Sequence, residues 1–214
     1  MKAVVFDMDG ILFDTERLCM ETWKELAAEK GIENIDTALV GCIGLNRTDT
    51  RLFLKDFYGN DFPYDELRQI ISKRMQTKME KEIPMLPGVV ELLDYLEKKQ
   101  VKIGLASSSR SEIVKSHITR ANLTDYFSVI IGGDMVEHSK PLPDIYLIAC
   151  DKLGVEPKEA YAIEDSPNGI RSAYSAGMKA IMVPDMVEPT EEMEEKATVI
   201  LPSLMAVKNW FEER

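Results

Sequence analysis

The chain has 214 residues, a formal net charge of −11 and a 45% hydrophobic content, which suits one large domain or a domain with a smaller insertion. The acidic balance argues against nucleic acid as a partner, because phosphate-backbone binding needs a basic surface. No apolar stretch approaches the about 20 residues that span a bilayer, and Asp7 and Asp9 break the first apolar segment too early for a signal peptide. Cys19, Cys42 and Cys150 form no Cys-x-x-Cys pattern and cannot all pair. A reducing, cytoplasmic compartment is the economical expectation.

The first predicted element is the unbroken, β-branched run Lys2–Phe6, which reads as a buried parallel strand. A wholly helical stretch follows, from about Thr15 to Ile83. Its first helix carries the stripe Cys19, Trp23, Leu26, Ala27 and stops at Gly31, a good C′ residue. Further helices are predicted near Thr48–Tyr58 and Tyr64–Glu82. From Pro87 the pattern changes to regular alternation. A helix after Pro87-Gly88 presents Val89, Leu92, Leu93 and Leu96 on one face. A strand over Val101–Ala106, a helix over Ser111–Ala121 and a strand over Ser128–Gly132 come next. Pro143–Leu153 is a helix, Tyr161–Ile163 a strand, Pro167–Ala176 a helix and Lys179–Val183 a strand. The charge run Glu191–Lys196 reads as a solvated helix face, and a short strand and helix lie near Thr198–Leu201 and Ser203–Glu212. Such alternation gives an α/β fold, a doubly wound parallel sheet with helices on both faces. The expected domains are an α/β core of residues 1–14 and 84–214 and an inserted helical cap of residues 15–83.

In a doubly wound sheet, ligands bind at the carboxyl ends of the strands. Three segments at such ends, and a fourth lying between two of them in the chain, carry the chemistry. Asp7-Met8-Asp9-Gly10 follows the first strand and places two acids on one side of an extended chain. They repel each other unless a cation or a shared proton relieves them. A calcium loop is excluded, since its glycine would be the sixth residue and here Gly10 is the fourth. Ser107-Ser108-Ser109-Arg110 offers hydroxyls and backbone N–H groups for an anion, although Ser109 or Ser111 could equally serve as a helix cap. Ser139-Lys140-Pro141-Leu142-Pro143-Asp144 fixes the direction of a lysine beside two prolines. In isolation it reads as a surface base, but beside carboxylates and a phosphate it would offset negative charge. Glu164-Asp165-Ser166-Pro167-Asn168-Gly169 has Ser166 as N-cap and Pro167 as N1 residue, so its two acids have no helical duty. Oxygen-only ligands from several strand ends fit Mg²⁺. His117 and His138 have no Cys or His at ligand spacing, which argues against zinc.

These four segments, in this order, resemble the four motifs of the haloacid dehalogenase superfamily. The helical insertion after the first is similar to the cap of its phosphatase and β-phosphoglucomutase-like branch. The resemblance implies that Asp7 is a nucleophile forming an aspartyl-phosphate, and that Asp9 protonates the leaving alcohol and then activates water. It also implies Mg²⁺ held by Asp7, the Asp9 carbonyl and Asp165, with Glu164 close by. Ser107 and the Ser108 N–H would hold the phosphoryl group, and Lys140 would neutralise it and Asp7. Substrate contacts are expected from Thr15 and Glu16 and from Arg47 in Gly44-Leu45-Asn46-Arg47; for each, a solvated surface role weighs about equally.

In β-phosphoglucomutases a histidine on the first cap helix gates the acid/base aspartate; here that position is Cys19, which reads as a small packing residue. The expectation is therefore a phosphatase acting on a small phosphorylated metabolite such as a sugar phosphate, with a mutase as the alternative. A receiver domain is argued against by the length and the cap, and a non-catalytic phospho-ligand sensor by the full set of catalytic residue types. A monomer is expected.

Overall fold

A computed structural model describes all residues except Gly44 and Asn46. The chain divides into two compact units, Met1–Asp14 with Met85–Arg214, and Thr15–Pro84.

The larger unit is built on six parallel strands: β1 (Ala3–Phe6), β2 (Lys102–Ser107), β3 (Val129–Gly132), β4 (Ala160–Glu164), β5 (Lys179–Met182) and β6 (Val199–Ile200). Their order is β3-β2-β1-β4-β5-β6. All four residues of β1 are fully buried, with Ala3–Phe6 registered on Lys102–Leu105 of β2 and on Ala160–Ile163 of β4. A strand covered on both faces has no solvent side to alternate with, which explains its unbroken apolar run. The chain builds outward from β1 through β2 and β3, then crosses back to lay β4 on the other side. The neighbourhood of β1 and β4 is thus a topological switch point, where strand ends leave a crevice. One sheet face is packed by Ile145, Tyr146, Ala149, Cys150, Ile170 and Ala173, which come from two later helices, α7 (Asp144–Leu153) and α8 (Pro167–Ser175).

The smaller unit is all helical among the described residues: α1 (Thr15–Lys30), α2 (Ile35–Val40), α3 (Arg47–Tyr58) and α4 (Tyr64–Lys81). Its own core contains Trp23, Leu26, Ala38, Leu39, Leu54, Tyr64, Leu67 and Ile71. Two ion pairs clip α1 to α4, Arg74 to Glu29 through two hydrogen bonds of 2.7 and 2.5 Å and Lys78 to Glu25 at 2.7 Å. The sequence reading has no counterpart to α2. Six residues carry too little periodicity to register, and Asn34, at φ 58° before it, breaks the pattern.

The remaining helices of the larger unit are α5 (Val89–Lys98), α6 (Ser111–Arg120), α9 (Glu191–Lys196) and α10 (Leu204–Glu212). Two expectations need correction here. The 191–196 run is not merely a solvated face, because Met193 is fully buried and Glu192 pairs with Arg171 of α8 at 2.5 Å. Ser107 and Glu164 close β2 and β4 rather than following them. The segments entering and leaving the helical unit run side by side, with Phe13 bridged to Met85 and Leu86 N–H donating to Leu12 C=O at 2.9 Å. Among the described residues, no helix is long and apolar enough to cross a membrane.

Candidate active site

Asp7 emerges from β1 with its N–H still donating to Ile163 C=O of β4, at 2.9 Å. That ladder bond fixes the residue between the two strand ends. Asp7, Glu164 and Asp165 are all buried, and one carboxylate oxygen from each lies within 4.8 Å of the others. Lys140 reaches the same point with a side chain only 6% exposed. Its ammonium donates to Asp7 Oδ1, to Glu164 Oε1 at 2.6 Å and to Ala106 C=O at 3.0 Å. An ammonium has three donors, and all three are used.

Two glycines allow this closeness. Gly10 has φ 79°, and a Cβ there would strike the Asp165 carboxylate. The turn therefore needs glycine both for its backbone conformation and for the space. Gly169, in the first turn of α8, would place a Cβ on the Glu164 carboxyl. Ser166 caps α8 by accepting from Gly169 N–H at 3.1 Å, as its position before Pro167 predicts. Its hydroxyl also lies 3.1 Å from Glu164 Oε2.

The electrostatics follow from burial. Desolvation pushes the Asp7 carboxyl up to about 8, with Glu164 and Asp9 adding to the shift while Lys140 opposes it. Burial alone would lower the Lys140 ammonium, but Asp7 and Glu164 outweigh it and hold it above the usual lysine range. With all three carboxyls ionised, the single ammonium would leave two negative charges unbalanced in the buried cluster, and the raised Asp7 carboxyl reflects burial together with that imbalance. That deficit, met with oxygen donors alone, fits a hard divalent cation.

Ser107 is buried at the end of β2, and its Oγ accepts the Ser109 N–H at 3.1 Å. Its own proton is left to donate. Ser108 is exposed beside it. Neither Ser109 nor Ser111 caps α6. Asp134, after β3, takes Ser111 N–H at 2.6 Å and Ser111 Oγ–H at 2.9 Å, so the capping reading is corrected. Ser109 instead lies with its hydroxyl 3.4 Å from Asp9 Oδ2. Asp9 is half-buried. Nearby, His117 packs edge-on to Phe13 at 6.1 Å, and burial lowers its imidazolium although Asp9 pulls the other way.

Thr15, Glu16 and Arg47 belong to the helical unit. Thr15 is buried at the start of α1, Glu16 is exposed in its first turn, and Arg47 is exposed at the start of α3. Gly44 and Asn46, which complete the segment around Arg47, lie outside the described residues. Cys19 is half-buried against the core of that unit, and burial raises its thiol.

Tyr146 is the neighbour that no motif pointed to. It is fully buried on α7, its hydroxyl 2.7 Å from Glu164 Oε1 and its ring centroid 5.2 Å from Lys140 Nζ. Burial and the surrounding carboxylates push its phenol well above the usual range. Its only trace in the sequence is an aromatic six residues after Lys140.

Known proteins resemble the chain in sequence and in fold. Over 189 residues the chain is 34% identical to a Thermotoga maritima protein named phosphorylated carbohydrates phosphatase, covering 85% of this chain and 84% of that one. It is 34% identical over 190 residues to a β-phosphoglucomutase of Bacillus subtilis, covering 86% and 83%. The crystal structure of CbbY from Rhodobacter sphaeroides in complex with phosphate superposes with a TM-score of 0.70 at 26% identity, covering 95% of each chain. A family profile described as haloacid dehalogenase-like hydrolase matches residues 4–183; the chain belongs to the haloacid dehalogenase-like hydrolases.

Proposed function

We propose that this chain is a phosphatase that hydrolyses a small phosphorylated carbohydrate through an aspartyl-phosphate on Asp7, with Mg²⁺ as its cation. The observation that carries the reading is the buried cluster of Asp7, Lys140, Glu164 and Asp165 at the switch point of the sheet. Such a cluster stores charge with no packing benefit, and its residue types are those that phosphoryl transfer uses for positioning and charge stabilisation. The names of the Thermotoga and Bacillus relatives support a phosphorylated sugar as the substrate class.

In this reading an Asp7 carboxylate oxygen attacks phosphorus, forming the acyl-phosphate bond as the bond to the leaving oxygen breaks. Asp9 gives its proton to that oxygen. Asp9 then takes a proton from water as the water oxygen attacks phosphorus, the Asp7–phosphorus bond breaks, and inorganic phosphate leaves. Splitting the hydrolysis lowers each barrier, and Asp9 must change protonation state between the halves. Ser107 Oγ–H and the Ser108 N–H hold the phosphoryl oxygens. Lys140 keeps the Asp7 carboxylate and the incoming phosphate from repelling each other. Asp7, Asp165 and the Asp9 carbonyl would hold the cation, with Glu164 beside them. When bound, the cation supplies the positive charge that the cluster lacks and shields the transferring group.

The helical unit, residues 15–83, serves as the cap in this proposal, and Thr15, Glu16 and Arg47 are its candidate substrate contacts. The three free cysteines support a cytoplasmic setting. The mutase alternative weakens at Cys19. Its half-buried thiol is raised by burial and packs with apolar neighbours, so it offers no gate for Asp9. Incubation with β-glucose 1-phosphate and a trace of the 1,6-bisphosphate decides between them. Phosphate release should outrun glucose 6-phosphate formation; the reverse would make the chain a mutase. Mg²⁺-dependent release of phosphate from an aryl phosphate, followed by a panel of sugar phosphates, tests the enzyme reading itself.

A further inference from the structure

We propose that Tyr146 is a positioning residue, whose hydroxyl holds Glu164 so that Glu164 in turn fixes the Lys140 ammonium on Asp7. The inference rests on the phosphatase reading and concerns how its central ion pair is aimed.

Lys140 has three acceptors. Ala106 C=O belongs to the sheet backbone and cannot move far. Asp7 is the group to be aimed at. The third, Glu164 Oε1, lies on a side chain, so its direction must itself be set. That oxygen takes two donors, Lys140 at 2.6 Å and Tyr146 O–H at 2.7 Å. Hydrogen bonds to an ionised oxygen are among the stronger kinds, and two of them on one atom leave it little freedom. The far oxygen of Glu164 is 3.1 Å from the Ser166 hydroxyl, and its carboxyl rests on Gly169 where a Cβ has no room.

Glu164 is thus clamped at both ends, and Tyr146 is the clamp nearest the lysine. The Tyr146 ring lies 5.2 Å from the ammonium, within cation–π reach. Phenylalanine would keep that ring and its packing and remove only the hydroxyl. A hydroxyl that merely satisfied itself in the core would affect stability. One that aims the lysine affects the rate of the folded enzyme.

The test is steady-state kinetics of Tyr146→Phe on an aryl phosphate at saturating Mg²⁺, with Mg²⁺ affinity measured separately by calorimetry. The kcat of the folded variant should fall about tenfold or more, with KM and the Mg²⁺ dissociation constant moved by less than about threefold. In a Glu164→Gln background, adding Tyr146→Phe should change kcat by less than about twofold, because the two act through one contact. A smaller fall in kcat, a loss carried by KM or metal affinity, or effects that multiply would overturn the proposal. Proton NMR gives a readout that does not depend on Tyr146→Phe folding. A slowly exchanging tyrosine hydroxyl proton should be present and should shift in Glu164→Gln; its absence, or its indifference to that change, would count against the clamp. A wild-type chain without Mg²⁺-dependent phosphate release would remove the phosphatase reading and this inference together. Normal turnover by both wild type and Tyr146→Phe removes the inference alone.

Discussion

Asp7 and Gly10 show how little freedom single residues have at this strand end. Asp7→Asn keeps the size of the side chain and should leave the fold intact, since the residue is held by its backbone bond to Ile163. Loss of a covalent nucleophile should lower kcat by about three or more orders of magnitude; phosphate-release assays on the purified, folded variant check this. Gly10→Ala puts a side chain at φ 79° and into the Asp165 carboxylate. It should cost about 1–3 kcal/mol of stability from the backbone alone and weaken metal binding as Asp165 is displaced. Denaturant unfolding and calorimetry measure the two effects separately. Asp7, Ser107, Glu164 and Asp165 are legible in the sequence because they stand at or just after strand ends and no helix needs them, whereas Lys140, between β3 and α7, is marked only by the prolines that follow it. Tyr146 is not legible, because an aromatic on an amphipathic helix reads as core, which it also is. Asp134 capping Ser111 is equally hidden, since the two residues meet only once β3 lies beside β2.

Elements with strong periodicity can be located from the sequence alone, as with α1 ending at Gly31 and α7 ending at Gly154, both glycines with positive φ. The short α2 and the buried Met193 inside the acidic α9 escape, because a handful of residues gives no repeat to count. At α9 the pair between Glu192 and Arg171 of α8 makes a prediction about acid. The hydrogen bonds from Arg171 lower the Glu192 carboxyl from 4.5 to about 2, against an opposing burial effect and with help from the Arg171 and Lys196 charges. A folded-state value below the unfolded one means stabilisation that is present above pH 4.5 and lost as pH falls through about 2. The difference in melting temperature between wild type and Glu192→Gln should be constant above pH 5 and shrink steadily below it. A difference that stayed constant down to pH 2, followed by scanning calorimetry, would show that the pair does not carry that shift.

On the scale of the whole molecule, the chain carries a formal charge of −11, and its buried cluster sets one ammonium, Lys140, against the three carboxyls of Asp7, Glu164 and Asp165. Mg²⁺ that binds only the folded chain should therefore stabilise it, by about 2.7 kcal/mol at a hundred times the dissociation constant. Chelation should remove both that increment and the turnover, and Asp165→Ala should show no increment in thermal unfolding with and without Mg²⁺. The division into an α/β unit and a helical unit is visible in the sequence as a change from unbroken helix to strict alternation. The side-chain orientations that would choose a substrate leave no such pattern. The central claim is that the phosphoryl group passes through Asp7, and rapid acid quench during turnover of an aryl phosphate, followed by peptide mass spectrometry, tests it most directly. The account predicts one phosphoryl group on the peptide carrying Asp7, lost on hydroxylamine treatment and absent from Asp7→Asn; steady phosphate release with no phosphoryl group ever trapped on that peptide would contradict it.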